Sequence, residues 1–175
     1  SARLDALPSN VQTLAQLRTM QVGAGLLSPQ RSAAVNALIA ARRDVQLVIR
    51  VHPGERLIKG PSMMRVVERA APGRPEHIHA IGPAEPTNTY DVMGIASLGL
   101  AYTTTVGMEM AMRGVPVIVA GETHYRARGF TVDPGNWEEY FTMLGEILKD
   151  LPGHRLAQGQ VEAAWNYAYR FFFEF

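Results

Sequence analysis

Residues able to do chemistry crowd into one stretch of this sequence, LGLAYTTTVGMEMAMRGVPVIVAGETHYRARGFT, residues 98–131. Thr103, Thr104 and Thr105 stand between a short apolar run (98–102) and a helical segment (about 106–113), and Glu109 follows four residues after Thr105. Backbone N–H groups at a helix start lack partners within the helix and carry partial positive charge, so a polar triplet placed there suits a phosphate. A capping box puts its carboxylate three residues after the cap, a spacing that Glu109 does not have. Two readings of Glu109 then stand nearly level. One is a favourable interaction with the helix dipole, worth about 0.3–1 kcal/mol. The other is acceptance of hydrogen bonds from the two hydroxyls of a ribose, a diol that a carboxylate matches well. Gly107 tilts the balance slightly to the ribose, because glycine inside a helix costs about 1 kcal/mol and so points to a close approach by some other group.

A second group of polar residues begins at His52, in His52-Pro53-Gly54-Glu55, directly after the β-branched run 45–51. Alternation along a strand puts Arg50 and His52 on one face near its C-terminal end. His52 then either serves a backbone carbonyl at the Pro-Gly turn or meets a ligand, and the residue types alone do not separate the two. His77 and His79 share a strand face as a metal site would require, but no third ligand stands nearby, so a core or surface role outweighs ligation.

Composition narrows the field. With no cysteine, neither a disulfide framework nor a thiolate metal site is available. A formal net charge of +1 gives no reason to invoke nucleic acid or an anionic membrane. No apolar run approaches the roughly 20 residues that span a bilayer, and no signal-peptide pattern opens the chain, which makes the cytoplasm the expected compartment.

These residues need elements to hold them. Ser9 to Gln12 has capping-box spacing and Val11, Leu14, Ala15 and Leu17 recur at helical intervals, which predicts a helix ended by Gly23 and Gly25. Ser28-Pro29 opens another, running to about Arg43. Further helices are expected over 61–70, with Met63, Met64, Val66 and Val67 in the core, over 90–97 behind a Thr89 cap, over 137–149 after the turn 133–136, and from about 155 to the end. Strands are expected at 45–51, 77–81, 98–102 and 115–120. Helices alternating with strands predict an α/β class: one three-layer α/β/α Rossmann-like domain with a parallel sheet over 1–175, in which 1–27 and 151–175 are peripheral. At 175 residues and 47% apolar content the chain suffices for one such domain. If the strands are all parallel, the loops 52–55, 82–88, 103–105 and 121–129 share one rim, where open α/β sheets bind ligands. The tail from Trp165 is too aromatic to stand wholly in water, so Trp165, Tyr169, Phe172 and Phe173 should pack on a second copy or on the start of the chain.

Three pieces in this order resemble the capsule polysaccharide biosynthesis glycosyltransferases, in particular the branch that contains the Kdo transferases. They are the strand ending in His52-Pro53, the segment Thr104-Thr105-Val106-Gly107-Met108-Glu109 followed by Gly114-Val115-Pro116-Val117, and Gly121 to Thr131 with Tyr125 and Gly129. The likeness covers about 45–134. It implies the C-terminal, nucleotide-sugar-binding half of a two-domain GT-B enzyme, with the acceptor glycan and the general base belonging to an N-terminal half missing from this chain. By that resemblance His52 contacts donor phosphate, Thr104 and Thr105 hold phosphate or nucleotide, Glu109 takes the ribose, and Tyr125 and Gly129 shape the loop beside the donor. A CMP-sugar is the favoured donor and a UDP-sugar the alternative. No cofactor or metal is called for, no catalytic residue is assigned, and the cytoplasmic expectation extends to peripheral attachment at the inner membrane. Met110, where alanine commonly follows the glutamate, and the all-threonine triplet depart mildly from the family pattern. A non-hydrolysing nucleotide-sugar epimerase and a binding module without chemistry are the other readings; the His-Pro and Gly-x-x-x-Tyr loops favour the transferase over the epimerase.

Overall fold

The computed structural model describes residues 11–15, 44–57 and 62–174. The helix expected over 28–43 lies outside these residues. The chain divides into two compact units, 1–95 and 96–175.

In the first unit three parallel strands stand in the order β3-β2-β1: β1 Val11–Ala15, β2 Gln46–Arg50 and β3 Ile78–Ile81. β1 corrects the sequence expectation of a helix there. Val11, Leu14 and Ala15 satisfy a helical spacing, but so short an apolar run fits either period, and parallel pairing with β2 in register Val11↔Gln46 gives its backbone the hydrogen-bonding partners that decide the matter. β2 is close to the expected strand, and its run of buried residues continues into Val51. A 3₁₀ turn, Pro53–Leu57, follows and leads to helix α1, Met63–Ala70. Two side chains cap α1: the Ser62 hydroxyl accepts from Met64 N–H at 3.2 Å, and Glu55 Oε1 accepts from Met63 N–H at 2.9 Å. Of the expected α1 core, Met63 and Val67 are buried while Met64 and Val66 are half-buried. Helix α2, Thr89–Ile95, is capped by Asn88, whose Oδ1 accepts from Tyr90 N–H, rather than by Thr89. Val92 packs with Val48 and Ile81, and Ile95 closes that cluster.

The second unit is built on β4, Gly99–Ala101, and β5, Val117–Val119, paired in parallel with Gly99 opposite Val117. Parallel neighbours cannot be joined by a tight hairpin, so the chain crosses over through helix α3, Val106–Ala111, whose Met108, Met110 and Ala111 are fully buried. Val132 adds a single parallel bridge opposite Ile118. Helix α4, Trp137–Lys149, starts at the expected turn, with Asn136 Oδ1 accepting from Glu139 N–H and the Glu139 carboxylate returning to Gly135 N–H. Helix α5, Gln158–Phe173, turns Ala164 and Ala168 inward against α3, where the absence of bulk lets the two helices approach. α5 and its lead also cap the end of α3: Trp165 Nε1 donates to Met112 O and Arg155 to Arg113 O, both at 3.0 Å. Its outer face carries Trp165, Tyr169, Phe172 and Phe173, which are 54–77% exposed. No described helix is long and apolar enough to cross a membrane.

Truncating the fully buried Ile118 to alanine should cost about 2–5 kcal/mol of unfolding free energy. The exposed Phe173→Ala should change it by less than about 0.5 kcal/mol. Urea denaturation followed by circular dichroism checks the pair, and equal losses would mean that Phe173 is not the surface residue described.

Candidate functional site

The turn between β4 and α3 carries the polar triplet, and its residues divide the work. Thr103 is exposed, Thr104 buried, Thr105 and Glu109 half-buried. Thr105 already has helical backbone angles (φ −63°, ψ −21°) and makes no side-chain cap. Thr104 does the capping instead: its Oγ1 accepts from Val106 N–H at 3.2 Å, and its carbonyl accepts from Gly107 N–H at 3.4 Å. Two amides at the start of α3 are therefore taken up by Thr104, which leaves the Thr104 hydroxyl proton as a donor. The Thr105 hydroxyl donates to Glu109 Oε1 at 3.2 Å. Glu109 lacks the capping-box spacing, as its position predicts, but it is not without a partner: one helical turn separates it from Thr105, and an i,i+4 pair meets on one face.

Gly107 needs no ligand to explain it, which corrects the expectation drawn from its helix penalty. The group that approaches is the phenol of Tyr125, whose oxygen lies 2.5 Å from where a Gly107 Cβ would stand, with Ala101 Cβ at 3.1 Å. Tyr125 is fully buried, and its hydroxyl donates to Thr104 O at 2.6 Å. Burial holds the phenol well above its ordinary pKa, so it remains a neutral donor.

The rest of the 121–129 loop is braced in the same manner. Arg126 donates to the carbonyls of Val119, Gly121 and Pro134. Asp133 accepts from Ala127 N–H at 2.9 Å. The His124 ring stacks on Phe171 of α5 with centroids 3.9 Å apart, and Tyr167 donates to the His124 carbonyl at 2.6 Å. Arg128 lies 5.3 Å over the Tyr167 ring. Gly129 has φ +84°, a backbone conformation that favours glycine, and its carbonyl accepts from Gln160 Nε2 at 3.0 Å. Of the polar residues that the sequence places on this loop, His124, Tyr125 and Arg126 thus hold the loop in shape. The structure therefore brings Thr104, Thr105, Glu109 and Tyr125 together, whereas Gly129 serves the loop's backbone path.

In the first unit, parallel pairing of β2 with β3 sends the turns after both strands to one edge. His52 is half-buried, and its Nδ1 accepts from Gly54 N–H at 3.0 Å, so the ring serves a backbone amide of the Pro-Gly turn. With Nδ1 accepting, the neutral ring carries its proton on Nε2. Arg50 is only 4% exposed and donates through one nitrogen to Val51 O at 2.8 Å and Gly82 O at 2.7 Å, while Glu85 accepts from Gly82 N–H at 2.8 Å. Burial lowers the pKa of Arg50 and Glu85 raises it, and its Nε has no hydrogen-bond partner. Sequence reading passed over Arg50 as a structural element; the signal available was a charge inside an otherwise apolar strand. His77 is buried and His79 Nε2 meets Gln46 Oε1 at 2.8 Å. No cluster of three His, Asp or Glu residues able to hold a metal exists among the described residues.

No protein family matches the chain, and no curated protein matches it in sequence. Solved structures do match. A protein described as a UDP-N-acetylglucosamine 2-epimerase of Listeria monocytogenes is similar over 100% of this chain with TM-score 0.64 and 24% identity. A second UDP-N-acetylglucosamine 2-epimerase is similar over 99% with TM-score 0.58 and 19% identity, and the glycotransferase of kitacinnamycin over 90% with TM-score 0.50 and 15% identity. The chain spans 49%, 46% and 41% of these proteins. The likeness is one of fold: the chain is a Rossmann-like α/β protein of the GT-B-like kind. It does not reach the capsule or Kdo-transferase branch that the sequence resembles.

Two histidines make a pH prediction. His79 is held below the ordinary imidazole value of 6.5, by burial first and by neighbouring His77 second, and His124 is lowered by burial. Below pH 6.5 the unfolded chain binds protons that the folded chain refuses, so stability present above that pH is lost as pH falls toward the folded values. The urea midpoint should therefore drop between pH 7.5 and 5.5, and His79→Gln should flatten part of the drop. An unchanged slope in the variant would remove His79 from the account.

Proposed function

We propose that this chain binds the nucleotide of a sugar donor, with Thr104 and Thr105 on phosphate, Glu109 on the ribose, and Tyr125 and Gly129 shaping the adjoining loop. The observation that carries this reading is the Thr105–Glu109 pair: a half-buried carboxylate at the start of α3, held by one hydroxyl through one oxygen. Its second oxygen takes no hydrogen bond from the described residues, and a carboxylate fixed in this way is prepared to accept from a diol. His52, in the first unit, is proposed from the sequence resemblance as a phosphate contact. Two of the structural neighbours have UDP-N-acetylglucosamine in their names, which supports a nucleotide sugar as the ligand class.

On this reading the chain is one donor-binding domain, the C-terminal half of a GT-B-like enzyme of the cytoplasm whose other half takes the acceptor glycan. The reaction is transfer of a sugar to a capsule or other surface polysaccharide, and no catalytic base is assigned to this chain. A second reading, epimerisation of a UDP-sugar, is favoured by the two epimerase neighbours, whose TM-scores exceed that of the glycotransferase. The same neighbours favour UDP as the nucleotide, against the CMP that the sequence resemblance favours. Conversion of UDP-N-acetylglucosamine to its 2-epimer by the full-length protein, without acceptor, would select the epimerase. The exposed aromatic face of α5 is proposed as a contact with a second copy, read out by sedimentation.

Calorimetric titration of UDP and CMP into the chain tests the core of the proposal. Glu109→Gln keeps the shape and removes the charge, and should weaken nucleotide binding by roughly 1.5–3 kcal/mol. His52→Ala should weaken UDP or CMP more than the corresponding nucleoside. Binding as tight as the parent's in both variants, with fold stability lowered, would make Glu109 and His52 structural residues and overturn the assignment.

A further inference from the structure

We infer that Tyr125 is a positioning residue for the Thr104–Thr105 turn, acting through the Thr104 carbonyl and the bare α-carbon of Gly107 rather than by touching a ligand. Its consequence for nucleotide binding rests on the function proposed above; its mechanics do not.

Four separate observations meet at this point. Tyr125 is fully buried, which removes it from any ligand that arrives from solvent. Its hydroxyl donates at 2.6 Å to the carbonyl of Thr104, a residue 21 positions earlier, so the contact joins the turn after β4 to the loop after β5. The carbonyl it reaches is also the acceptor of Gly107 N–H, at 3.4 Å. Gly107 is the socket: a Cβ there would stand 2.5 Å from the phenol oxygen, 3.2 Å from Cζ and 3.1 Å from Ala101 Cβ, and a Cβ does not come within 3.0 Å of another group's heavy atom. A phenol and a missing methyl group are therefore complementary parts of one joint.

The joint has a firm mounting. Tyr125 lies edge-on to His124, and His124 stacks on Phe171 of α5. Phe130, also fully buried, stacks on Tyr125 with centroids 6.4 Å apart. Helix α5 thereby fixes the loop, the loop fixes the phenol, and the phenol fixes Thr104. Thr104 caps α3 through its hydroxyl and Thr105 holds Glu109, so the placement of all three depends on Tyr125. A residue with this role changes ligand affinity without meeting the ligand.

A double-mutant cycle of Tyr125→Phe and Gly107→Ala tests the joint. Phenylalanine keeps the ring and removes the donor, so Y125F should lower Tm by roughly 2–6 °C. G107A should lower it further, because its methyl meets the phenol oxygen. In the double variant that oxygen is gone, and Tm should fall by clearly less than the sum of the two single changes. If G107A does not fold, recovery of folded protein in the double variant is the same result. The second readout is affinity for UDP and CMP at a temperature where Y125F is fully folded: Kd for whichever binds should rise roughly 3–10-fold, the effect of one lost hydrogen bond. A residue that only stabilises the core would lower Tm and leave Kd alone. Additive Tm changes, or an unchanged Kd in folded Y125F, would overturn the inference. If the parent chain binds neither nucleotide, the proposed function falls, and the cycle alone decides the joint: less than additive supports it, additive overturns it.

Discussion

Parallel pairing of β4 with β5 is the constraint from which the second unit follows. Two parallel neighbours need a crossover, and α3 supplies it in the short span between them. The same geometry delivers the turn after β4 and the loop after β5 to one edge, so that a side chain from the loop can reach the backbone of the turn. An antiparallel pair would have put Thr104 and Tyr125 at opposite ends of the strands. The Tyr125–Thr104 hydrogen bond and the glycine socket both depend on that one choice of strand direction.

Both units hold their loops by the same device, a buried or partly buried side chain that donates to main-chain carbonyls. Arg50 joins the end of β2 to Gly82, Arg126 gathers the carbonyls of Val119, Gly121 and Pro134, and Tyr125 takes that of Thr104. A carbonyl withdrawn from water and left without a donor costs about 1–3 kcal/mol, so loops as irregular as these need such donors to be ordered at all. The cost is visible at Arg50, whose Nε is buried without a partner. Polar residues that look like ligand contacts in the sequence are in this way divided between scaffold and site.

In the second unit the division leaves a small set of groups for the proposed binding. Thr105 and Glu109 are half-buried and paired, and the Thr104 hydroxyl retains its proton. Charge-assisted hydrogen bonds from a diol to a fixed carboxylate are stronger than neutral ones and pay little further ordering entropy. The outer face of α5 differs in kind, since its aromatic side chains offer area and no directed polar group. Its inner face is committed, through Ala164 and Ala168 against α3 and through Tyr167 and Phe171 against the loop.

Much of this was determined by the sequence itself. The β-branched runs around β2 and β5 favour strands, and α4 begins where Asn136 caps it because that cap is local. The Thr–Glu spacing likewise placed two side chains one turn apart before any fold was known. Tertiary structure alone decided the rest. β1 is a strand because β2 offers it backbone partners, which no local period records. Thr89 gave way to Asn88 as a cap because one residue of helix phase changes which side chain reaches the amide. Gly107 looked like an opening for a ligand, since a sequence registers only the penalty of a glycine in a helix; that the space is filled by Tyr125 depends on a contact across 18 residues of chain, which only the folded crossover brings together.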